Sequence, residues 1–163
     1  MDFMRRNDVG NLKYVKGNIF EGVEPIIAHG CNIVGGYASG IAGQIARLYP
    51  EARVQYMRKF NTERGWKLGD LQFVVVSDDL VIANMATQPT YGSQGIHVDY
   101  DAVKSCFEVL LNYAEENKLE IAIPKIGAGL GGGHWPTIEK IIVDKLKSKE
   151  VSITCYELPD TRP

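Results

Sequence analysis

Two glycine-rich stretches constrain the fold of this chain more than any other feature. GCNIVGGYASG covers residues 30–40, and GAGLGGG covers 127–133, where five of seven positions are glycine. Each follows a short apolar run, PIIAH in the first case and IAIPKI in the second, and each precedes a segment with helical spacing. Glycines tolerate positive φ and bring no side chain, so backbone N–H groups in such a loop can converge where a helix begins. That is anion-binding geometry, with phosphate as its usual guest. A tight crossover built from small residues for packing is the plainer alternative. Two loops of this kind favour a ligand that carries a diphosphate.

The rest of the chain supplies the frame around them. Alternation over residues 12–16 predicts a first strand, and residues 25–29 a short buried one. Residues 41–48 show helical spacing, and Pro50 suits the first turn of a second helix running to about residue 62. Residues 71–76 and 80–85 read as two strands joined by the turn chemistry of Ser77, Asp78 and Asp79. Residues 87–98 read as a polar loop. Asp99 or Asp101 then caps a long helix with Val103, Phe107, Leu110, Leu111 and Ala114 on one side. A buried strand over 120–126, a helix over 135–148 and a last strand over 151–156 complete the chain. Strands alternating with helices, with one hairpin, predict an α/β fold: a three-layer α/β/α domain around a mixed sheet. One domain is expected over residues 1–163, with its core at about 12–158. In such sheets ligands bind beyond the carboxyl ends of the strands, where both glycine stretches fall.

Composition narrows the function classes. A net charge of −2, with lysine and arginine scattered apart from KLKSK at 145–149, gives no field that would draw nucleic acid. The apolar runs are too short to span a membrane, and MDFMRRNDVG lacks the apolar core of a signal peptide. Three widely spaced cysteines, Cys31, Cys106 and Cys155, fit a reducing compartment and no zinc knuckle. The chain is expected to be cytoplasmic and monomeric, with no membrane partner and no direct nucleic-acid binding.

Several motifs are candidates for chemistry. Gly127, Gly129 and Gly132 satisfy G-x-G-x-x-G, yet only one strand follows, which argues against a dinucleotide-binding unit. Neither glycine run is followed by the Lys-Ser or Lys-Thr of a P-loop. His97, Asp99 and Asp101 offer spaced ligand types, but helix capping by the aspartates beside a solvated His97 is the expected arrangement, so no metal and no cofactor is predicted. His29 ends a buried strand just before a glycine stretch. A neutral imidazole there is able to deprotonate water or protonate a leaving oxygen, and a buried histidine satisfied by its surroundings is the alternative.

The ordered set VKGNIF, IIAHGCN, GGYASGIAGQIARLYP, IPKIGAGLGGGHW and ITCYEL, over roughly residues 13–158, resembles a macrodomain. It is most similar to the branch that contains ADP-ribose-1″-phosphate phosphatases. The resemblance implies a six-stranded mixed sheet between helices and a cleft for ADP-ribose or its 1″-phosphate. His29-Gly30-Cys31-Asn32 matches the His-x-Cys-Asn of that branch, which implies His29 as the catalytic group and Asn32 as the residue orienting the terminal ribose. Asn18 and Ile19 match the family's Gly-Asp-Ile segment, with an amide where the family's aspartate accepts from adenine. Gly35, Gly36, Ser39, Gly40 and Ile41 match the first phosphate–ribose loop. Gly127, Ala128, Gly129, Leu130, Gly131 and Gly132 match the diphosphate loop. Tyr156 matches an aromatic position that packs against adenine, and Gln88, Pro89 and Thr90 lie where a neighbouring loop lines the site. A related hydrolase branch carries an aspartate where Gly131 stands. The resemblance thus implies hydrolysis of ADP-ribose 1″-phosphate, with two alternatives: removal of ADP-ribose from modified macromolecules or small derivatives, and ADP-ribose binding without turnover.

Overall fold

The structure, a computed structural model, describes residues 8–91, 97–128 and 132–157. Its elements are β1 (Leu12–Lys16), a 3-10 turn (Ile19–Glu21), β2 (Ile26–Asn32), α1 (Gly40–Leu48), α2 (Pro50–Phe60), β3 (Leu71–Ser77), β4 (Leu80–Gln88), α3 (Tyr100–Asn117), β5 (Ile121–Ile123), α4 (Trp135–Leu146) and β6 (Ile153–Glu157). They form one six-stranded sheet in the order β1-β6-β5-β2-β4-β3. Every pairing is parallel except that of β3 with β4, so the sheet is mixed.

A parallel strand at the centre of such a sheet is buried on both faces and reads as a continuous apolar run. In β2, Ile26 and Ala28 enter the cluster under α3 and α4, while Ile27 and Cys31 enter the cluster under α1 and α2. Helices therefore cover both faces, giving the three layers expected from the alternation of elements. The α3 stripe is the clearest case of a helix set by its pattern. Val103, Phe107, Leu110 and Ala114 are fully buried, and each large apolar side chain contributes roughly 2 kcal/mol through its burial. Asp99 starts α3 by accepting from the Ala102 N–H at 2.9 Å, as the capping preference predicts.

Three strands differ most from the sequence reading. β2 continues to Asn32 and β4 to Gln88, because both run in parallel register up to the pair Asn32–Gln88. Gln88 thus ends a strand, where the sequence suggested a loop. β5 holds only Ile121–Ile123, since Pro124 cannot donate to a ladder.

Candidate functional site

The rim at the carboxyl ends of β2, β4 and β5 carries the first glycine loop, and the side chain of Asn32 organises it. Its Oδ1 accepts from the N–H groups of Val34 and Gly36, both at 3.0 Å, and its Nδ2 donates to the Gly36 carbonyl at 2.8 Å. Tyr56 of α2 rises beneath: its hydroxyl accepts from the Gly35 N–H at 3.1 Å and directs its proton at the Asn32 oxygens, 2.9 and 3.0 Å away. Gly35 has φ +86°, and a Cβ there would stand 3.0 Å from the Phe60 ring. A left-handed residue packed on an aromatic ring requires glycine.

Behind this loop lies a buried polar node that sequence reasoning missed. Asn84, fully buried in β4, donates through Nδ2 to the Ala52 carbonyl of α2 and to Gln72 Oε1 of β3. Its Oδ1 is left as the acceptor, taking the Tyr37 hydroxyl at 2.8 Å and His29 Nε2 at 2.7 Å. His29 is therefore the Nε2–H tautomer. Its ring has no exposed surface, and desolvation lowers its pKa to about 4, partly countered by the bond to Asn84. Burial also pushes the Cys31 thiol well above its ordinary value, removing it as a thiolate nucleophile. The legible signal for this node was an asparagine inside LVIANMATQ, since a buried amide demands partners.

These observations correct two expectations. His29 does not present its imidazole to the rim, because it is turned into the core onto Asn84 and Tyr37. Asn32 is 7% exposed, and its amide is spent on its own loop, which makes it an organiser of backbone. A third concerns His97, expected to be solvated: its Nε2 is buried with no hydrogen-bond partner among the described residues, as is Thr87 Oγ1 near the end of β4. Thr87 Oγ1 occupies the space a Cβ on Gly30 would need, 2.6 Å from that position.

The second glycine loop is shaped differently. Gly127 has φ +74°, and a Cβ there would meet Val98 Cγ2 at 2.7 Å. The Gly133 N–H closes the loop on the Gly127 carbonyl at 2.7 Å. Gly129, Leu130 and Gly131 lie outside the described residues, while Ala128 and exposed Gly132 flank them. Lys125, at the foot of this loop, pairs with Glu157 at 2.9 Å.

The helices that follow the two loops begin in the same way. α1 starts at Ser39–Gly40 and α4 at His134–Trp135, and neither has a side-chain cap bond. α2, which follows no glycine loop, also lacks a side-chain cap bond, whereas α3 is capped by Asp99, and Asn18 caps the 3-10 turn by accepting from the Phe20 N–H. An uncapped helix start leaves N–H donors and a positive dipole end for an anion, although α4 offers fewer donors than α1, since Pro136 has no N–H and the Thr137 N–H bonds the His134 carbonyl.

The remaining expected residues fall along the same rim. Asn18 is exposed just past β1, and Ile19 is buried beneath it. Tyr156, near the end of β6, is half-buried, and its hydroxyl donates to Glu24 at 2.8 Å. Gln88, exposed Pro89 and exposed Thr90 extend β4 beside Gly36, whose missing Cβ would lie 3.0 Å from the Tyr91 ring. Two hollows lie elsewhere. One of about 880 Å³ opens at the amino ends of β2 and β4, and one of about 500 Å³ lies between α3 and α4. Neither contains a residue of the first loop, although Ile19 lines the larger one.

Fold, rim and glycine loops define a macrodomain, and the Macro domain family profile matches residues 28–142. The chain belongs to that family. It is 31% identical over 183 residues to an ADP-ribose 1″-phosphate phosphatase of Candida glabrata, covering 92% of this chain and 100% of the relative. A 17.5 kDa protein from the tk-vs intergenic region of phage T4 is 34% identical, with 90% of this chain and 97% of the relative covered. A DNA ADP-ribosyl glycohydrolase of Thermus aquaticus is 27% identical across 90% of this chain and 41% of its own length. The solved macrodomain of Thermus aquaticus DarG superposes with a TM-score of 0.76 at 26% identity, covering 90% of this chain and 97% of that one. Among the described residues no helix is long and apolar enough to cross a membrane.

Proposed function

We propose that this macrodomain binds ADP-ribose along its glycine rim and hydrolyses the terminal phosphate of ADP-ribose 1″-phosphate. The observation that carries this reading is the pair of uncapped helix starts, α1 and α4, each behind a glycine loop at one rim. Two such donors suit a diphosphate between them, and the phosphatases named among the yeast relatives supply the reaction. Adenine then lies toward Asn18, Ile19 and Tyr156. Asn18 retains one lone pair for an adenine N–H while it caps the 3-10 turn. The distal ribose lies toward Gly35, Gly36, Ser39, Gly40 and Ile41, with Gln88, Pro89 and Thr90 along its side.

In the reaction water adds to phosphorus, and the bond from phosphorus to the 1″-oxygen breaks. Phosphate leaves, and the 1″-oxygen takes a proton to give ADP-ribose. Loop N–H groups, fixed before substrate arrives, stabilise charge on the phosphate oxygens as it develops. His29 and Asn32 act from beneath, holding those donors in place. Release of inorganic phosphate from ADP-ribose 1″-phosphate by the purified protein tests the reading. Absence of release at any enzyme concentration, with ADP-ribose still bound, overturns the phosphatase step and leaves a binding module.

A second reading is favoured by the Thermus aquaticus glycohydrolase relative: removal of ADP-ribose from a modified macromolecule. Label released from ADP-ribosylated DNA or protein, with no phosphate from the 1″-phosphate, selects it.

A further inference from the structure

The hydroxyl of Tyr37 has no obvious reason to exist if the side chain only fills space. Tyr37 is 2% exposed and packs its ring on Tyr56, with centroids 4.9 Å apart, and edge-on to His29 at 5.4 Å. A phenylalanine would fill that volume without needing a polar partner. Instead the hydroxyl reaches Asn84 Oδ1 at 2.8 Å, from a loop residue to the middle of a central strand.

Asn84 is the point where four elements meet. Its amide is bonded to Ala52 of α2, Gln72 of β3, His29 of β2 and Tyr37 of the first glycine loop. The loop's other anchors, Asn32 and Tyr56, bind the backbone of Val34, Gly35 and Gly36. All of those lie before Tyr37 in the chain. The stretch from Tyr37 to Ser39, which leads into the uncapped start of α1, includes Ala38 and Ser39, both exposed. Tyr37 is its one fully inward side chain. The Tyr37–Asn84 bond ties this stretch to the sheet just before α1, whose body is held by the burial of Ile45.

We infer that Tyr37 is a positioning residue, whose hydroxyl on Asn84 fixes the first glycine loop in its ligand-ready shape before any ligand binds. The ordering cost of the loop is then met in folding, and binding keeps more of its gross interaction energy. The inference rests on the ADP-ribose reading of the site, and its test separates the two.

Tyr37→Phe removes the hydroxyl alone. The control is Phe107→Leu, on α3 in the core cluster on the opposite face of the sheet from Tyr37, which lowers thermal stability. Calorimetry with ADP-ribose, well below both melting points, is expected to show Tyr37→Phe binding about tenfold more weakly. The control is expected to stay within about twofold of wild type. Amide exchange at Gly43, whose N–H bonds the Ser39 carbonyl in the first turn of α1, is expected to rise about tenfold in Tyr37→Phe and to be unchanged in the control. Wild-type affinity together with wild-type exchange in Tyr37→Phe overturns the inference. An equal loss of affinity in the control also overturns it, because the effect is then global softening. If wild type itself fails to bind ADP-ribose, the proposed function falls. The exchange rates then decide the tether alone: a local rise supports it and no rise removes it.

Discussion

The two glycine loops share a composition and a place in the fold, and they are held by opposite means. The first is shaped from below by side chains: Asn32, Tyr56 and Tyr37 reach it with directed hydrogen bonds. The second is shaped by side chains that are missing. Gly127 and Gly133 let Val98 come close, and a backbone bond between them closes the turn. Glycine content thus reports that backbone must approach something, without saying whether the shape is imposed by hydrogen bonds or by exclusion.

The largest expected effect sharpens the first half of this contrast. Asn32→Ala removes the acceptor of two loop N–H groups and the donor to Gly36, leaving part-buried polar groups unmatched. A loss of about 3 kcal/mol in urea-unfolding stability is expected, since each orphaned group costs ~1–3 kcal/mol. ADP-ribose affinity is expected to fall by about a hundredfold. An Asn32→Ala protein of wild-type affinity would show that the ligand, and not the side chain, shapes the loop.

Gly127→Ala addresses the second half. A left-handed alanine costs ~1–2 kcal/mol, and its Cβ would press on Val98 and on Ile138 Cδ1, 2.7 and 3.2 Å away. About 3 kcal/mol of destabilisation is expected in total. At Gly35 the obstacle is the edge of the half-buried Phe60 ring, which can swing aside, so Gly35→Ala is expected to cost less. Adding Val98→Ala is expected to recover the steric part in the Gly127→Ala background and nothing in the Gly35→Ala background. Equal costs at the two glycines, or rescue in both, break the comparison.

Much of this was readable in the chain and part was not, for definite reasons. The alternation of apolar runs and amphipathic segments specified the three layers, because period and length are local properties. The caps at Asp99 and the turn at Asp78–Asp79 followed from local chemistry too. What the residues did not disclose was direction. His29 sits one position before a glycine stretch, and a ligand-facing imidazole and a core imidazole have the same sequence there. The choice depends on Asn84, 55 residues away, whose amide leaves only one role for Nε2. Strand ends were likewise hidden, since β2 and β4 extend each other by pairing, a non-local effect.

The buried node makes a prediction about acid. The folded His29 pKa of about 4 lies below its ordinary 6.5, so the unfolded chain binds the extra proton first. Stability is complete above pH 6.5 and is lost as pH falls toward 4. Around the ring stand Tyr37, Tyr56 and Cys31, whose burial keeps them neutral over this range, and the amide of Asn84. Between pH 7.5 and pH 5 the group is expected to remove about 2 kcal/mol of stability. In His29→Gln that part of the pH dependence disappears. First-loop amides are expected to lose protection in acid before those of Ala128 and Gly133, whose N–H groups bond the Lys125 and Gly127 carbonyls, because only the first loop rests on the node. Simultaneous loss would place both loops on a common support.

The smallest expected effect is at Lys125, the cation nearest the foot of the second loop. If that loop holds phosphate by backbone N–H groups, a lysine beside it is dispensable. Its ammonium is already engaged, 2.9 Å from Glu157 and 5.9 Å from the centre of the Trp135 ring. A half-exposed pair of this kind contributes at most ~1 kcal/mol. Lys125→Met, which keeps the aliphatic stem against Trp135, is therefore expected to change ADP-ribose affinity less than about twofold. Its salt dependence is expected to match wild type, because no mobile cation leaves the site. A tenfold loss that shrinks at high salt would mean that Lys125 exchanges Glu157 for the ligand's phosphate. The second loop would then owe its anion site to a side chain, as the first owes its shape to several.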